Sequence, residues 1–485
     1  MNQFTERSIC RQDMDTKKKA LRSGLWYTVS NFLLKAIGFI TVPIFTRLLT
    51  KAEFGLYNNF TSWLSIFNIL ITLSLEASLI SARFDFEEDF DGYILSRFGL
   101  NAVSCGVWFV GFNAFGSQIA GFTHVDRVYL NAILVYLLFL PAVNLFQARE
   151  RYLYKYKISV LLTVGVAVAT AAVSVLLVYC CEDRLFGRIM GSIIPTVIAG
   201  AVIAWYLIYK GRHVRVSYWK YAIPVCLPYI PHLLAGTVLN STDRIMIESI
   251  CGPESAAVYS LAYSCGALVT LLISSLNMAV VPWLGENLKS ENYRVIRKFS
   301  KTYIVIFFAM AVMIMLMAPE VLLIMGGKGY YEAKYVITPV AMGCVCQFLY
   351  TLYVNVEQFS KKTAGMAAAT VIAAAVNLIL NALMIPKFGY LAAAYTTLAG
   401  LLVLLLLHMF LVRRIGLGSI YDNRFVLSVT AVGIMVMLII TWLYRFTLAR
   451  YIVTAVYFGV LAWFSYRHRA MLIGLIKRDK ASEYN

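Results

Sequence analysis

Residues 156–181 read YKISVLLTVGVAVATAAVSVLLVYCC, and no charged side chain occurs between Lys157 and Glu182. An apolar run of this length is sufficient for an α-helix to cross a hydrocarbon core of about 30 Å. Membrane-spanning β-strands would be about ten residues long and would alternate apolar and polar side chains. The stretch has no such alternation, so it predicts a transmembrane helix.

Similar runs recur through the chain, which has 485 residues, a mean hydropathy of +0.72 and only 14% charged residues. Soluble domains have roughly 25% charged residues. We therefore predict an all-α polytopic membrane protein with about fourteen transmembrane helices. The predicted spans are 22–47, 57–82, 92–116, 126–148, 156–181, 186–209, 219–241, 255–284, 301–325, 335–359, 363–385, 388–412, 425–445 and 448–466.

The Lys and Arg residues are distributed unevenly between the two sides of the predicted membrane. If both termini lie on one side, the segments there carry 30 of the 43 Lys and Arg residues, and the opposite segments carry 11. Such an excess is typical of the cytoplasmic side. The bias predicts cytoplasmic N- and C-termini, and it explains the net charge of +18 by contact with anionic membrane lipids, without a nucleic-acid partner.

The chain contains an internal duplication. Glu53 and Tyr57, after the first span, correspond to Glu254 and Tyr259 after the seventh, and two further landmarks repeat at similar offsets. Six spans per half give both halves the same orientation, as in two-lobed transporters. We therefore predict two pseudo-symmetric lobes around a V-shaped central cavity; a two-lobed scaffold without transport is the alternative. The predicted divisions are a cytoplasmic tail (1–21), an N-lobe (22–209), a C-lobe (219–412), two extra helices (425–466) and a second cytoplasmic tail (467–485).

Polar side chains form stripes within four of the predicted spans. Lys35 lies near the middle of the first span, where an intramembrane Lys costs about 2.5–3.5 kcal/mol on an insertion scale. It should therefore face water or a partner. The stripes predict a shared aqueous cavity, and for the uncharged members hydrogen bonding between helices is an equal alternative. The stripes are Thr28, Asn31, Lys35 and Gly38; Thr61, Ser65, Asn68, Thr72 and Glu76; His232, Gly236, Asn240 and Asp243; and Gln347, Thr351, Asn355 and Gln358.

Four cations and two amides are candidates for binding the substrate. A cavity that holds Lys35, with cations at its rims, attracts anions, and Arg and Lys are the natural partners of phosphate oxygens. His232 is a candidate proton carrier because its ordinary pKa suits that role, and packing is the alternative. The candidate substrate-binding residues are Lys35, Asn31, Arg83, Arg97, Asn240 and Arg244.

Three prolines interrupt the predicted seventh span. Pro224, Pro228 and Pro231 lie within eight residues of one another. Proline removes a helical hydrogen bond and clashes with the preceding turn. The spacing predicts a bent or broken helix.

Motifs of enzymes and cofactor sites are absent from the sequence. Gly326-Gly-Lys328-Gly329 lacks the spacing of a nucleotide phosphate loop, and no hydrolase, metalloprotease or dinucleotide motif occurs. The nine cysteines lack metal-site spacing, and residues 1–20 lack the apolar centre of a signal peptide. The short predicted loops leave no room for a catalytic domain. We expect a transporter without a cofactor or metal.

Two regions carry a resemblance to a known family. Leu25-Trp-Tyr-Thr, Pro43-Ile-Phe-Thr-Arg47-Leu-Leu and Glu53-Phe-Gly-Leu-Tyr57 resemble the start of bacterial polysaccharide flippases. The second region, Leu227-Pro-Tyr-Ile-Pro-His232, Leu239-Asn-Ser-Thr-Asp243-Arg244-Ile-Met-Ile and Val258-Tyr-Ser-Leu-Ala-Tyr263, is similar to the middle of that family. The family belongs to the multidrug/oligosaccharidyl-lipid/polysaccharide exporter superfamily.

The resemblance implies a cargo and an energy source. The cargo would be a polyprenyl-diphosphate-linked oligosaccharide, flipped from the cytoplasmic to the outer leaflet of a bacterial inner membrane by alternating access. Polysaccharide polymerase machinery would act downstream. Coupling to a Na⁺ or H⁺ gradient is expected, with Glu76, Asp243 and His232 as candidate ion-coupling groups.

Three alternatives stay open at the level of sequence. A multidrug or cation antiporter would be expected to place a carboxylate in the first span, where this chain has Lys35. A flippase of peptidoglycan lipid precursors would need the same diphosphate recognition. A membrane glycan polymerase or ligase is disfavoured by the short loops.

Overall fold

A computed structural model of the chain is built from helices. It describes residues 26, 29, 30, 32–74, 78–152, 156–227, 229–360 and 363–467, and no strand occurs among them. The α-helices are α1 (32–48), α2 (Lys51–Thr72), α3 (Leu79–Asp85), α4 (Phe90–Ala114), α5 (Gly116–Thr123), α6 (Arg127–Tyr152), α7 (Tyr156–Cys180), α8 (Arg184–Gly211), α9 (Val216–Cys226), α10 (Tyr229–Cys251), α11 (Pro253–Lys289), α12 (Tyr293–Gly326), α13 (Lys334–Phe359), α14 (Thr363–Phe388), α15 (Tyr390–Arg414), α16 (Asn423–Leu443) and α17 (Thr447–Arg467). Two short 3₁₀ helices, Glu87–Asp89 and Lys328–Ala333, precede α4 and α13.

The helices confirm a multi-pass membrane protein. Among the described residues, nine helices are long and apolar enough to cross a membrane, and the bent pair α9–α10 raises the number to ten. Helix α2 is outside this group because Asn58, Asn59 and Asn68 lower its mean hydropathy. The all-α fold is therefore confirmed, and the count of fourteen spans stays a prediction.

Helix packing divides most of the described chain into two bundles. The N-terminal bundle contains α2, α4, α6, α7 and α8, and the C-terminal bundle contains α10 to α15. Helix α2 also packs on α10 and α11, which joins the bundles. Only 6% of the apolar window of α7 is buried, so this helix mainly faces the surrounding lipid.

Short connections join successive helices and define two ends of the molecule. We call the end that contains Thr50 and Gly252 the distal end, and the end that contains Arg212 the proximal end. Thr50 begins α2 with a capping box, in which its hydroxyl accepts from the Glu53 amide and its own amide donates to the Glu53 carboxylate. Such caps satisfy amides that have no partner in the first helical turn.

The predicted seventh span is broken, as the three prolines indicated. Helices α9 and α10 are inclined by 54° across the break that follows Cys226. Helix α9 is held on α4, because the Trp219 indole donates to the Ser96 carbonyl at 2.7 Å and the Arg215 amide donates to the Ser96 hydroxyl at 2.8 Å. Helix α10 packs on α14 of the C-terminal bundle as well as on α2. The break thus lets one span contact both bundles.

Helices α16 and α17 attach to the C-terminal bundle through α12 and α13. The buried Arg450 of α17 donates to the Leu316 carbonyl at 2.9 Å. Its guanidinium also forms a bidentate ion pair with the Glu320 carboxylate of α12, in which Nη1 donates at 2.7 Å. Because the guanidinium is enclosed, this pair fixes the position of α17.

Replacement of the acidic partner should destabilise the protein. In Glu320→Gln, Arg450 stays buried but loses its carboxylate, and breaking a buried pair in this way costs about 3 kcal/mol. The melting temperature of the purified protein in detergent should fall accordingly. A double variant, Glu320→Met with Arg450→Met, should lose less, since it leaves no unpaired charge.

The matched control is the exposed pair between Lys301 and Asp422, at 2.6 Å. Lys301 holds the pKa of the Asp422 carboxyl below its ordinary value, mainly by hydrogen bonding. Lys301→Gln should change stability by less than about 1 kcal/mol, because exposed pairs contribute little. Equal melting temperatures for wild type and Glu320→Gln would contradict the role assigned to Glu320.

Candidate functional site

An enclosed polar cluster of the C-terminal bundle surrounds Asp243 of α10, whose side chain is 1% exposed. Tyr259 of α11 donates to its carboxylate at 2.5 Å, and Asn381 of α14 donates at 2.6 Å. The hydroxyl of Thr397, on α15, is the third donor. Three neutral donors from three helices therefore bind one carboxylate, which has no ion pair within the described chain.

A second layer of amides and hydroxyls positions these donors. Asn377 donates to the Thr397 hydroxyl at 3.2 Å, and Asn381 donates to Asn377 at 3.3 Å. The Thr396 hydroxyl donates to the side-chain amide oxygen of Asn381. Burial of a carboxylate without a cationic partner is costly, and the three donated hydrogen bonds offset part of that cost.

A cavity adjoins the network. It has a volume of about 230 Å³ and lies between α10, α11, α13 and α15. Its polar lining includes Asn240, Tyr263, Gln347 and Thr397. Because Thr397 both lines the cavity and donates to Asp243, the cavity lies one side chain away from the carboxylate.

Two predicted substrate-binding residues meet at the ring of Tyr263. The Arg244 guanidinium lies 4.9 Å from the ring centroid, and its buried Nε has no hydrogen-bond partner in the described chain. The Tyr263 hydroxyl donates to Asn240 at 3.4 Å, and Asn240 itself donates to the Gly236 carbonyl at 2.7 Å. The structure thus brings Asn240, Asp243 and Arg244 together on α10.

Two other predicted cations lie in the N-terminal part of the chain, away from this cluster. Arg97 is fully buried, where its Nη2 contacts the Cys226 sulfur at 3.3 Å and its guanidinium lies 5.9 Å from the Tyr93 ring centroid. Arg83 lies at the proximal end and pairs with Glu87 at 3.6 Å. It lines a charged proximal cavity of about 610 Å³ with two other ion-paired arginines, Arg149 and Arg215.

The structure describes two of the four remaining predicted site residues, Lys35 and His232. Lys35 is exposed on α1, and Gly38 on the same stripe has no neighbour that a Cβ would meet. His232 is half-buried on α10, and its Nδ1 has no hydrogen-bond partner among the described residues. Asn31 and Glu76 lie outside the described residues. The roles assigned to these four residues stay predictions.

Arg188 of α8 is a cation that the sequence interpretation missed. Its guanidinium carbon lies 3.7 Å from the Phe45 ring centroid and 4.1 Å from that of Tyr57, so it is held between α1 and α2. Its Nε has no hydrogen-bond partner in the described chain. The sequence feature that could have identified Arg188 was its charge, which lies only two residues inside the predicted sixth span that starts at residue 186.

A buried acid–base pair was also missed. His408 of α15 and Glu357 of α13 are almost fully buried, and the His408 Nδ1 lies 2.9 Å from the Glu357 Oε1. The His408 ring stacks on Tyr350 with a centroid distance of 5.6 Å. Each residue lies inside an apolar span, where an ionisable group is itself a functional signal.

Contacts between the two halves of the chain close the distal end. Thr46 and Arg47 of α1 donate to the carbonyls of Met325 and Ile324 at the end of α12, and the bond from Arg47 measures 2.8 Å. The backbone of Gly55 lies directly against Pro253, the first residue of α11. The molecule is therefore closed between its halves at this end.

Comparisons with family models agree with this architecture. The model described as polysaccharide biosynthesis protein matches residues 20–288, and the MatE model matches residues 228–383. A curated relative, "Lsg locus putative protein 1" from Haemophilus influenzae, is 21% identical over 349 residues, which cover 70% of this chain and 84% of that protein.

Solved structures share the fold at low sequence identity. The lipid II flippase MurJ in an inward closed conformation has a TM-score of 0.72 at 13% identity, covering 92% of this chain and 99% of that one. An inward-facing multidrug resistance MATE family transporter has a TM-score of 0.60 at 13% identity, with 80% and 94% covered. A MOP superfamily transporter from Pyrococcus furiosus has a TM-score of 0.58 at 14% identity, with 83% and 96% covered.

A methyl group at Gly55 should weaken the distal closure. An added Cβ would lie 1.8 Å from the Pro253 carbonyl oxygen, and backbone atoms cannot turn aside. Overlap of this kind costs about 1–3 kcal/mol, so the open-to-closed ratio should rise roughly 5- to 150-fold in Gly55→Ala. The ratio can be measured from distances between spin labels at positions 182 and 328, on exposed distal turns of the two bundles.

Gly165→Ala is the matched control, because a Cβ at Gly165 would meet nothing within 4 Å. Its distance distribution should equal that of the wild type. If Gly55→Ala also gave the wild-type distribution, the Gly55–Pro253 contact would have no part in the closure.

Proposed function

The chain belongs to the polysaccharide biosynthesis protein family, and from this premise we propose that it flips a polyprenyl-diphosphate-linked oligosaccharide between membrane leaflets. The family match over residues 20–288 carries the proposal. The glycan would move from the cytoplasmic to the outer leaflet of a bacterial inner membrane. Polymerase machinery would then consume it at the outer face. Both chain termini, and with them the proximal end, would face the cytoplasm, as the Lys and Arg bias favours.

The cations of the membrane-spanning helices fit an anionic cargo. Arg188 and Arg244 form no ion pair within the described chain, and each guanidinium lies against aromatic rings. Lys35, on α1, is a third cation of the membrane-spanning helices. Arg and Lys bind phosphate oxygens through charge-assisted hydrogen bonds. A multidrug antiporter for organic cations would be poorly served by the same residues.

The closed distal end fits one stage of an alternating-access cycle. With the proximal end toward the cytoplasm, this conformation would accept a lipid-linked glycan from the inner leaflet. Rocking of the bundles would then break the contacts of Thr46, Arg47 and Gly55 and release the cargo outward. The break between α9 and α10 would supply a hinge, since the freed backbone lies between helices held by different bundles.

Asp243 is the proposed ion-coupling group. Its three neutral donors come from α11, α14 and α15, so a change at the carboxylate would alter how these helices pack on α10. A proton would neutralise the carboxylate directly. The surrounding amide and hydroxyl oxygens would also suit Na⁺, and the two ions are separated by the experiment below.

Lys35→Ala should impair glycan export. Removal of one charge-assisted contact to phosphate costs about 1.5–3 kcal/mol, so export should fall about tenfold or more while Lys35→Arg retains most of it. Surface glycan and lipid-linked intermediates can be measured together with the amount of protein in the membrane. An accumulated polyprenyl-diphosphate oligosaccharide would support the proposal, whereas an accumulated peptidoglycan precursor would favour the alternative flippase.

Lys289→Ala is the matched control, because Lys289 is an exposed cation at the proximal end of α11. Glycan export by this variant should be normal. Normal export by Lys35→Ala at normal abundance would remove Lys35 from the substrate path.

Asp243→Asn should uncouple export from the ion gradient. The substitution keeps the shape of the side chain but removes its charge, so gradient-driven flipping in proteoliposomes should fall about tenfold or more. Varying Na⁺ at constant pH, and pH at constant Na⁺, identifies the ion in the wild type. Asp422→Asn, at an exposed helix cap, serves as the control. Gradient-driven flipping by Asp243→Asn at the wild-type rate would exclude Asp243 as the coupling group.

A further inference from the structure

A hydrogen-bonded acid–base pair crosses between the bundles at the distal end. His124 lies in the turn between α5 and α6, and its Nδ1 is 3.0 Å from the Glu248 Oε2 on α10. The Glu248 side chain is 6% exposed, whereas that of His124 is 42% exposed. Water at the distal face can therefore exchange a proton with the imidazole while the carboxylate stays enclosed.

The local structure holds the pair in place. Asn59 of α2 donates to the Glu248 carboxylate at 3.3 Å and to the Thr123 carbonyl at 3.0 Å, so it ties both sides together. His124 has a left-handed backbone, with φ of 51°, as the C-terminal cap of α5. Few non-glycine residues adopt this conformation, which fixes the direction in which the imidazole leaves the chain.

The other charged groups of the distal end have different surroundings. Asp126 and Arg127 follow His124 along the chain, and Arg127 donates to Ser117. Several other charged groups that the structure describes there have interactions of their own: Arg47 with Ile324, Lys51 with the Tyr330 ring, Glu53 with Thr50, Asp183 with Phe186 and Arg184 with Leu48. Among these groups, His124 is the one that contacts Glu248.

Protonation of His124 changes the strength of the pair in a definite direction. A neutral imidazole donates one hydrogen bond to the carboxylate, whereas an imidazolium adds a full opposite charge at the same distance. In the proposed alternating-access cycle, the pair would exist only while the bundles meet at the distal end. By linkage, an ion pair that forms only in the closed state makes a falling pH favour that state.

We propose that His124 and Glu248 form a proton-sensitive latch that stabilises the distal-closed state as the pH on the distal side falls. The latch rests on the proposed function in one respect, because alternating access must separate the bundles there. It adds a regulatory input that is independent of the cargo. In an acidic exterior the latch would shorten the time that the cleft is open outward.

The test is the distal open-to-closed ratio as a function of pH, in bilayers and without cargo. Spin labels at positions 182 and 328, introduced through non-canonical amino acids, leave the native cysteines and the latch untouched. For the wild type, the ratio should fall about fivefold between about pH 8 and about pH 5.5, the range in which histidine titrates. Gly55→Ala, which favours the open state, provides a second background in which both populations are measurable.

Two variants isolate the titrating group. His124→Gln keeps a hydrogen-bond donor that does not titrate, so its ratio should be independent of pH. Glu248→Gln removes the acceptor's charge and should give a flat response with a larger open population. A pH response in His124→Gln equal to that of wild type, or a flat wild-type response with both populations present, would overturn the latch alone. Absence of an open population at every pH, in Gly55→Ala as well, would overturn alternating access and the latch together.

Discussion

The interior of a bilayer cannot hydrate a charge, and this constraint governs the placement of ionisable side chains within the described membrane-spanning helices. A charge within a span must find a partner, reach water or remain a costly exception. Arg450 meets the requirement with Glu320, and Arg149 does so with Asp91. These pairs join neighbouring helices, and their charges are balanced within the protein.

Asp243, Arg188 and Arg244 meet the requirement differently. The Asp243 carboxylate is bound by hydroxyls and an amide, whereas the two guanidiniums lie against aromatic rings. In each case the charge itself has no ion-pair partner in the described chain. A charge that is held in place but not balanced is suited to a ligand of opposite sign. In the proposed function, this distinction separates the candidate groups for binding cargo or an ion from the groups that hold helices together.

Much of the fold could be predicted from the sequence because apolar length and proline chemistry act locally. The run at 156–181 became α7, and the prolines of the seventh span marked the break after Cys226. Asp243 could be found as a charge on a polar stripe. Its partners Asn381 and Thr397 could not, because both lie more than a hundred positions away and helical periodicity does not show which helix faces Asp243.

The limits of sequence interpretation are also visible among the cations. Helical periodicity gives the face on which a residue lies but does not identify the helix opposite that face. Arg97 was expected at a cavity rim, yet it is enclosed beside Cys226 because α9 folds back on α4. Arg188 was left out because it follows a loop closely, and only the rings of α1 and α2 reveal how deeply it is held.

Helix α10 carries both the candidate ion-coupling group and the carboxylate of the distal latch. Asp243 and Glu248 lie five positions apart on it, which is about 7.5 Å along a helix. The first contacts the C-terminal bundle, and the second contacts the turn after α5 in the N-terminal half. Because the helix is interrupted immediately before α10, in the proposed cycle α10 would tilt without carrying α9 with it. In the proposed mechanism, neutralisation of Asp243 would change the packing of α10 on α14 and α15, and the same tilt would move Glu248 relative to His124. The ion site and the distal closure would then be coupled through a single rigid helix, with no need for a longer pathway through the protein.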